Sequence, residues 1–167
     1  GLDQTRLWFY VLHVLSTILF EKPAYKNVVV NGMIMAADGQ KLSKRLKNYP
    51  PIEDVFSTEG ADSLRYYLLS SPATVGEYSR FSRDGLKDIN RNIFMTLYNT
   101  ASFFTMYAEL DKWQPDSLER PTSLDHPLDN WLIDRVAQTT ELVTEGADGY
   151  DLGRATRPLA ELVDDLS

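Results

Sequence analysis

The sequence predicts a mixed α/β chain that is mostly helical, with its strands confined to the first half. Three observations carry that expectation. Apolar residues recur at spacings of three and four across residues 4–20, 82–104, 128–143 and 152–166, as on one face of a helix. One short β-branched run, Val28-Val29-Val30, reads as a buried strand. Asp38-Gly39 then follows an apolar stretch with the dipeptide that most strongly marks a tight hairpin.

The first helix is expected over residues 4–20. Leu7, Tyr10, Val11, Val14, Leu15, Ile18 and Leu19 share its apolar face, and Asp3 is placed to cap it. Lys22-Pro23 should end it, since proline lacks the donor and restricts the residue before it. Residues 27–31 form the expected strand, Gly32 breaks it, and Met33-Ile34-Met35 leads into a two-residue turn. Strand, helix and strand in that order suit the edge of a parallel nucleotide-binding sheet, whose ligands lie beyond the carboxyl ends of the strands. Asp3-Gln4 and Asn31-Gly32 would both stand at such ends.

After Tyr49-Pro50-Pro51, short helices are expected over 52–58, with Glu53 and Asp54 in the first turn, and over 61–70, with Leu64, Tyr67 and Leu68 inward. Ser71-Pro72 stops the second, and residues 74–81 read as irregular or short strand. The chain divides there into units 1–81 and 82–167. Ser82 should cap one long stripe, Leu86, Ile89, Ile93, Leu97, Ala101 and Phe104. Residues 113–127 form a proline-bearing loop. A second stripe, Leu128, Leu132, Val136, Thr139 and Val143, ends at Gly146-Ala147-Asp148-Gly149. Asp151 caps a third helix with Leu152, Ala155, Leu159, Leu162 and Leu166 inward and a kink at Pro158. Three such helices are an incomplete antiparallel bundle, with Trp113, Trp131, Phe103 and Phe104 as core or loop anchors.

The 167 residues carry a formal charge of −7, no cysteine and two histidines, His13 and His126. Disulfides and thiolate metal sites are excluded, and the histidines form no metal motif and read as structural. No apolar run approaches membrane-spanning length. An acidic chain is a poor bulk binder of nucleic acid. Against that background Lys41, Ser43, Lys44, Arg45 and Lys47 stand out within seven residues. Cations hung from a strand-anchored turn suit a triphosphate, whose charge they would stabilise as it develops. A solvated basic surface loop is the plainer reading of the same charges.

Lys41-Leu42-Ser43-Lys44-Arg45 resembles the KMSKS signature of class I aminoacyl-tRNA synthetases, with leucine for its methionine and arginine for its final serine. Gly1 to Tyr10 resembles the isoleucine branch of that family. The likeness continues through Asn48-Tyr49-Pro50, Gly60 to Arg65 and Asp164 to Ser167. It implies that residues 1–81 are the C-terminal part of a Rossmann-like catalytic domain and that 82–167 begin the anticodon-binding helical domain. The chain starts at glycine and stops within a helical pattern, as an excised piece would.

The resemblance further implies an activity for the parent: isoleucine and ATP, entering with Mg²⁺ as substrate, give isoleucyl-adenylate, and the acyl group passes to tRNA(Ile). Lys41 and Lys44 would be catalytic. Lys41, Ser43 and Lys44 would bind ATP together with Asn31, Gly32, Met33, Ile34 and Met35. Gly1, Asp3, Gln4 and Trp8 would hold the aminoacyl-adenylate. No residue is assigned to a resident metal or cofactor, and the parent is expected to be a cytoplasmic monomer off the membrane. The piece alone is expected to be inactive, because the HIGH-type half-site and the editing domain are absent from it. From the residues alone, Asp3 and Gln4 equally suit a helix cap and a surface amide, Trp8 suits core packing, and Asn31-Gly32 suits an ordinary strand end. Valyl and leucyl sister enzymes, or a helical binding module with a basic loop, are the alternatives.

Overall fold

The computed structural model describes residues 2–115 and 124–167. Its elements run α1 (Trp8–Phe20), β1 (Ile34–Met35), α2 (Ile52–Thr58), α3 (Ala61–Leu69), β2 (Ser79–Arg80), α4 (Arg83–Ile89), α5 (Thr96–Leu110), α6 (Pro127–Asp148) and α7 (Leu152–Leu166). Two 3₁₀ turns, Leu2–Gln4 and Pro72–Val75, and a π-helical segment, Asn90–Met95, complete them.

The first helix begins later than its pattern suggests. Asp3 lies inside the 3₁₀ turn and caps nothing in α1, whose N-cap is Leu7. The cause is local: the Thr5 hydroxyl donates to the Leu2 carbonyl at 2.8 Å, which draws the backbone into a tighter turn. α1 ends at Phe20 with Glu21 left-handed at φ 53°, two residues ahead of Pro23. The face expected inside is largely open, with Leu7, Tyr10, Ile18 and Leu19 each more than half exposed. What α1 does hold is Tyr25, whose ring meets Phe9 edge-on and His13 at a tilt and whose hydroxyl donates to the Phe9 carbonyl.

Residues 27–31 do not form the expected strand. β-branched side chains favour an extended chain, but a strand needs a partner, and none pairs there among the described residues. The Gly32 N–H donates instead to Ala73 in the second 3₁₀ turn, at 2.7 Å. The sheet is therefore two short parallel strands, Ile34 opposite Ser79 and Met35 opposite Arg80.

The core sits beside this sheet. Val55 from α2, Leu64 from α3 and Leu86 from α4 are its buried centre, with Tyr67 and Phe81 packed against them. Leu86 has no exposed surface at all, so the core crosses residue 82. Tyr67 reinforces that crossing: its hydroxyl donates to the Arg80 carbonyl and accepts the Ser82 N–H. Ser82 itself caps α4 through Gly85 N–H at 3.1 Å.

One stripe does not run through the next helix. The π-helical segment 90–95 breaks the register, because each inserted residue turns the following ones by about 100°. Ile89 and Ile93 are half-buried, but Leu97 and Phe104 are 43% and 59% exposed. Phe104 packs edge-on against Trp113, so that pair anchors the end of α5 rather than filling a core. The expected loop falls partly on residues 116–123, outside the described residues. At its far end His126 caps α6, its Nδ1 accepting the Leu128 N–H at 3.2 Å.

α6 and α7 fold back on each other. α6 ends within the expected Gly146–Gly149 stretch, at Asp148, and Gly149 closes it. A Cβ at Gly146 would lie 2.8 Å from Ala155 N, so glycine is what lets the α7 backbone come this close. Leu128 and Val136, expected inward, are 60% and 40% exposed, while Thr139 is buried. Asp151 caps α7 through Arg154 N–H at 3.0 Å. Arg135 pairs with Asp165 at 2.6 Å and Arg154 with Glu145 at 2.9 Å across the two helices. α7 continues through Pro158, which is buried. The Tyr66 hydroxyl donates to the Thr156 carbonyl at 2.9 Å, docking α7 on α3.

Candidate functional site

The lysine loop is built outward from β1. Ala36, almost fully buried, donates its N–H to the Gln40 carbonyl, and Gly39 N–H returns to the Ala36 carbonyl, both at 2.8 Å. Residues 37–39 thus form a three-residue loop, one longer than the dipeptide suggests. Gly39 takes φ 80°, which its missing Cβ permits, and Asp38 Oδ1 accepts the Gln40 N–H at 2.9 Å. The returning chain forms one antiparallel bridge, Lys41 to Met35. The Arg80 guanidinium lies on the turn, 3.3 Å from where a Gly39 Cβ would be.

From Lys41 onward the loop is secured twice. Leu42 lines an apolar cavity of about 250 Å³ with Ile34, Tyr49, Val55, Leu64 and Phe81, so an apolar residue at this place anchors the loop on the core. Asn48 does the rest with its amide: Oδ1 accepts the Ser43 N–H at 2.9 Å, and Nδ2 donates to the Lys41 carbonyl at 3.1 Å. Lys47, left-handed at φ 48°, turns the chain so that Asn48 points back. Lys41, Lys44, Arg45 and Lys47 are all exposed. Among the described residues none of the four has a carboxylate within ion-pair distance. Four uncompensated cations on one short loop make a local positive field that an anion would neutralise.

A second electrostatic feature, at the end of α2, was not disclosed by the sequence. Glu59 is buried, yet it ends α2 as a carboxylate. The Thr58 hydroxyl donates to it, Arg83 Nε donates to its Oε1 at 3.1 Å, and Arg83 Nη2 reaches Thr58 at 3.1 Å. The Thr58 hydrogen bond holds the carboxyl below its ordinary range; burial pushes the other way, and Arg83 adds to the lowering. Unpaired, a buried carboxylate would be costly.

The expected site residues fall into three groups. Lys41, Ser43 and Lys44 are brought together on the loop, directly after Ile34 and Met35 of β1. Asn31, Gly32 and Met33 precede β1, but the close backbone approach at Gly32 is to protein. A Cβ there would lie 1.7 Å from the Glu77 carbonyl oxygen. Asn31 and Gly32 also line a cavity with Leu68, Thr74 and Leu152. Asp3 and Gln4 lie in the first 3₁₀ turn, where Gln4 Nε2 donates to Asp3 at 3.4 Å. Trp8 is 61% exposed, so it is not the core residue its helix position suggested. No hydrogen bond, ion pair or ring contact among the described residues joins Gln4 or Trp8 to the lysine loop. Gly1 lies outside the described residues. Among the described residues, no group of three or more His, Asp or Glu side chains converges as a metal site.

This geometry has known relatives. Residues 1–79 match the tRNA synthetases class I (I, L, M and V). The synthetase likeness extends over the full chain, which is 44% identical to the isoleucine–tRNA ligase of Protochlamydia amoebophila and 43% identical to that of Chlamydia pneumoniae. A probable cytoplasmic isoleucine–tRNA ligase of Encephalitozoon cuniculi is 40% identical, again over all 167 residues. The chain spans 16% of the length of each. In structure it is similar to the LeuRS of Agrobacterium radiobacter K84, solved in a ternary complex with tRNA and LeuAMS. The TM-score is 0.75 over 99% of this chain and 21% of that one, at 18% identity, so the two share a fold over that stretch. No helix among the described residues is long and apolar enough to cross a membrane.

Proposed function

We propose that the chain is the lysine-loop portion of an isoleucine–tRNA ligase. In this reading residues 1–81 close the Rossmann-like catalytic domain and residues 82–167 begin the anticodon-binding helices. The observation that carries it is the loop itself: Lys41, Ser43 and Lys44 presented together, the two lysines free of carboxylate partners among the described residues, in a chain similar to isoleucine–tRNA ligases throughout.

The reaction asks little of acids and bases, because the isoleucine carboxylate is already ionised when it attacks the α-phosphorus of ATP. It asks for position and for charge to meet the departing pyrophosphate. Lys41 and Lys44 supply rotatable point charges, and the Ser43 hydroxyl donates to a phosphate oxygen. Ile34 and Met35 carry the loop, while Asn31, Gly32 and Met33 lie beside the adenosine, with the Gly32 N–H already given to Ala73. Asp3, Gln4 and Trp8, with Gly1, hold the aminoacyl-adenylate. Mg²⁺ enters on the ATP phosphates as part of the substrate. The acyl group then passes to tRNA(Ile), in a cytoplasmic, monomeric enzyme.

ATP–pyrophosphate exchange in the full-length protein tests this. Exchange with isoleucine above valine and leucine is expected. Isoleucine and valine differ by one methylene, worth about 1–3 kcal/mol, so the margin over valine is modest and that over leucine tests shape. Exchange led by valine or leucine moves the reading to a sister enzyme. Exchange with none of them favours a binding module.

A further inference from the structure

We infer that Asn48 is a positioning residue for the lysine loop, holding Lys41 and Lys44 at a fixed separation and direction. The inference rests on the ATP-handling role proposed above. The Asn48 amide uses both of its ends on the loop's main chain, accepting from Ser43 N–H at 2.9 Å and donating to the Lys41 carbonyl at 3.1 Å. A single side chain therefore closes the ring 41–48 across its neck. Lys41 lies at one anchor of that ring and Lys44 one residue beyond the other. Neither lysine is held by an ion pair among the described residues, so the clamp sets where their stems start.

The chemistry of the clamp is specific to a carboxamide. A neighbouring donor and acceptor are both needed, and asparagine offers each on one planar group of short reach. Aspartate keeps the acceptor for Ser43 but sets a carboxylate against the Lys41 carbonyl. Alanine removes both bonds. Leu42 anchors the same loop through its apolar cavity, so losing the clamp should loosen the ring without detaching it. The Ser43 N–H is engaged by Asn48, which leaves the Ser43 hydroxyl, the ammonium groups of Lys41, Lys44 and Lys47 and the Arg45 guanidinium as the loop's side-chain donors.

The test uses two readouts on the full-length protein. Trypsin cuts after Lys41, Lys44, Arg45 and Lys47, so nicking reports how well the ring is held. Isoleucine-dependent ATP–pyrophosphate exchange reports what the ring does. Asn48→Ala is expected to nick faster and to lower kcat by about 10²-fold, the usual result of a misplaced reacting group, with KM for isoleucine unchanged. Asn48→Asp should fall between alanine and the wild type in both readouts. A wild type that exchanges normally while Asn48→Ala nicks and turns over unchanged overturns the positioning role alone. So does a variant that raises KM for isoleucine in step with a lowered melting temperature, which marks general destabilisation. A wild type with no exchange overturns the functional reading, and the catalytic role of the clamp with it.

Discussion

Arg83 Nε lies 3.1 Å from Glu59 Oε1, joining the start of α4 to the end of α2 over 24 residues of sequence. The carboxylate is buried and the guanidinium is partly exposed, so the pair is anchored on its acidic side. Its neighbour Thr58 donates to the same carboxyl, which keeps Glu59 ionised inside the protein.

Acid should expose this arrangement. Glu59 has a folded pKa below its unfolded one. It therefore contributes stability in full above the unfolded value and loses that contribution as pH falls through the folded value. Thermal melting of the wild type and of Glu59→Gln should converge as pH falls below the ordinary carboxylate range. Parallel curves over that fall would show that Glu59 contributes nothing through its charge.

Leu86→Ala should cost about 2–5 kcal/mol, since it leaves a cavity among Val55, Leu64, Tyr67 and Phe81. Urea denaturation measures it. Because the core crosses residue 82, the loss should appear in the unfolding of both halves.

Gly146→Ala should be destabilising by about 1–3 kcal/mol, because the new methyl meets the α7 backbone at Ala155. Gly153→Ala is the control: its Cβ would find nothing nearer than Asp151 Oδ1 at 3.8 Å, and alanine favours a helix. Equal melting temperatures for the two variants would refute the close α6–α7 contact.

Lys44→Ala in the full-length protein should slow ATP–pyrophosphate exchange by about 10²–10³, the loss of one charge-stabilising donor, with KM for isoleucine nearly intact. An unchanged rate removes Lys44 from the chemistry.

What was legible in the sequence was what local chemistry decides. Ser82 and Asp151 announce their helices because a cap is a bond between near neighbours. Asp38-Gly39 marks its turn for the same reason, and Pro51 and Pro72 bound the helices between them. Some misses were local, as at Asp3, where the Thr5 hydroxyl draws the chain into a 3₁₀ turn; others needed contacts or helix geometry that composition does not show. Val28 to Val30 has the composition of a strand and no strand beside it among the described residues, the π-helical segment rotates a stripe that periodicity would keep straight, and Gly146 gives no sign that it admits the α7 backbone at Ala155. In the site, the lysines could be read from their wording. The amide of Asn48 could not, since one asparagine at the end of a basic loop gives no sign of reaching five and seven residues back.

Val55 and Leu64 have two neighbours at once: Leu86 in the core, and Leu42 across the cavity beneath the loop. The helical half and the cationic loop therefore share one partition. Transplanting residues 36–48 onto another scaffold would carry the charges but leave their footing behind. A faithful graft has to include α2, α3 and the first turns of α4, because the loop's posture is a property of that whole block.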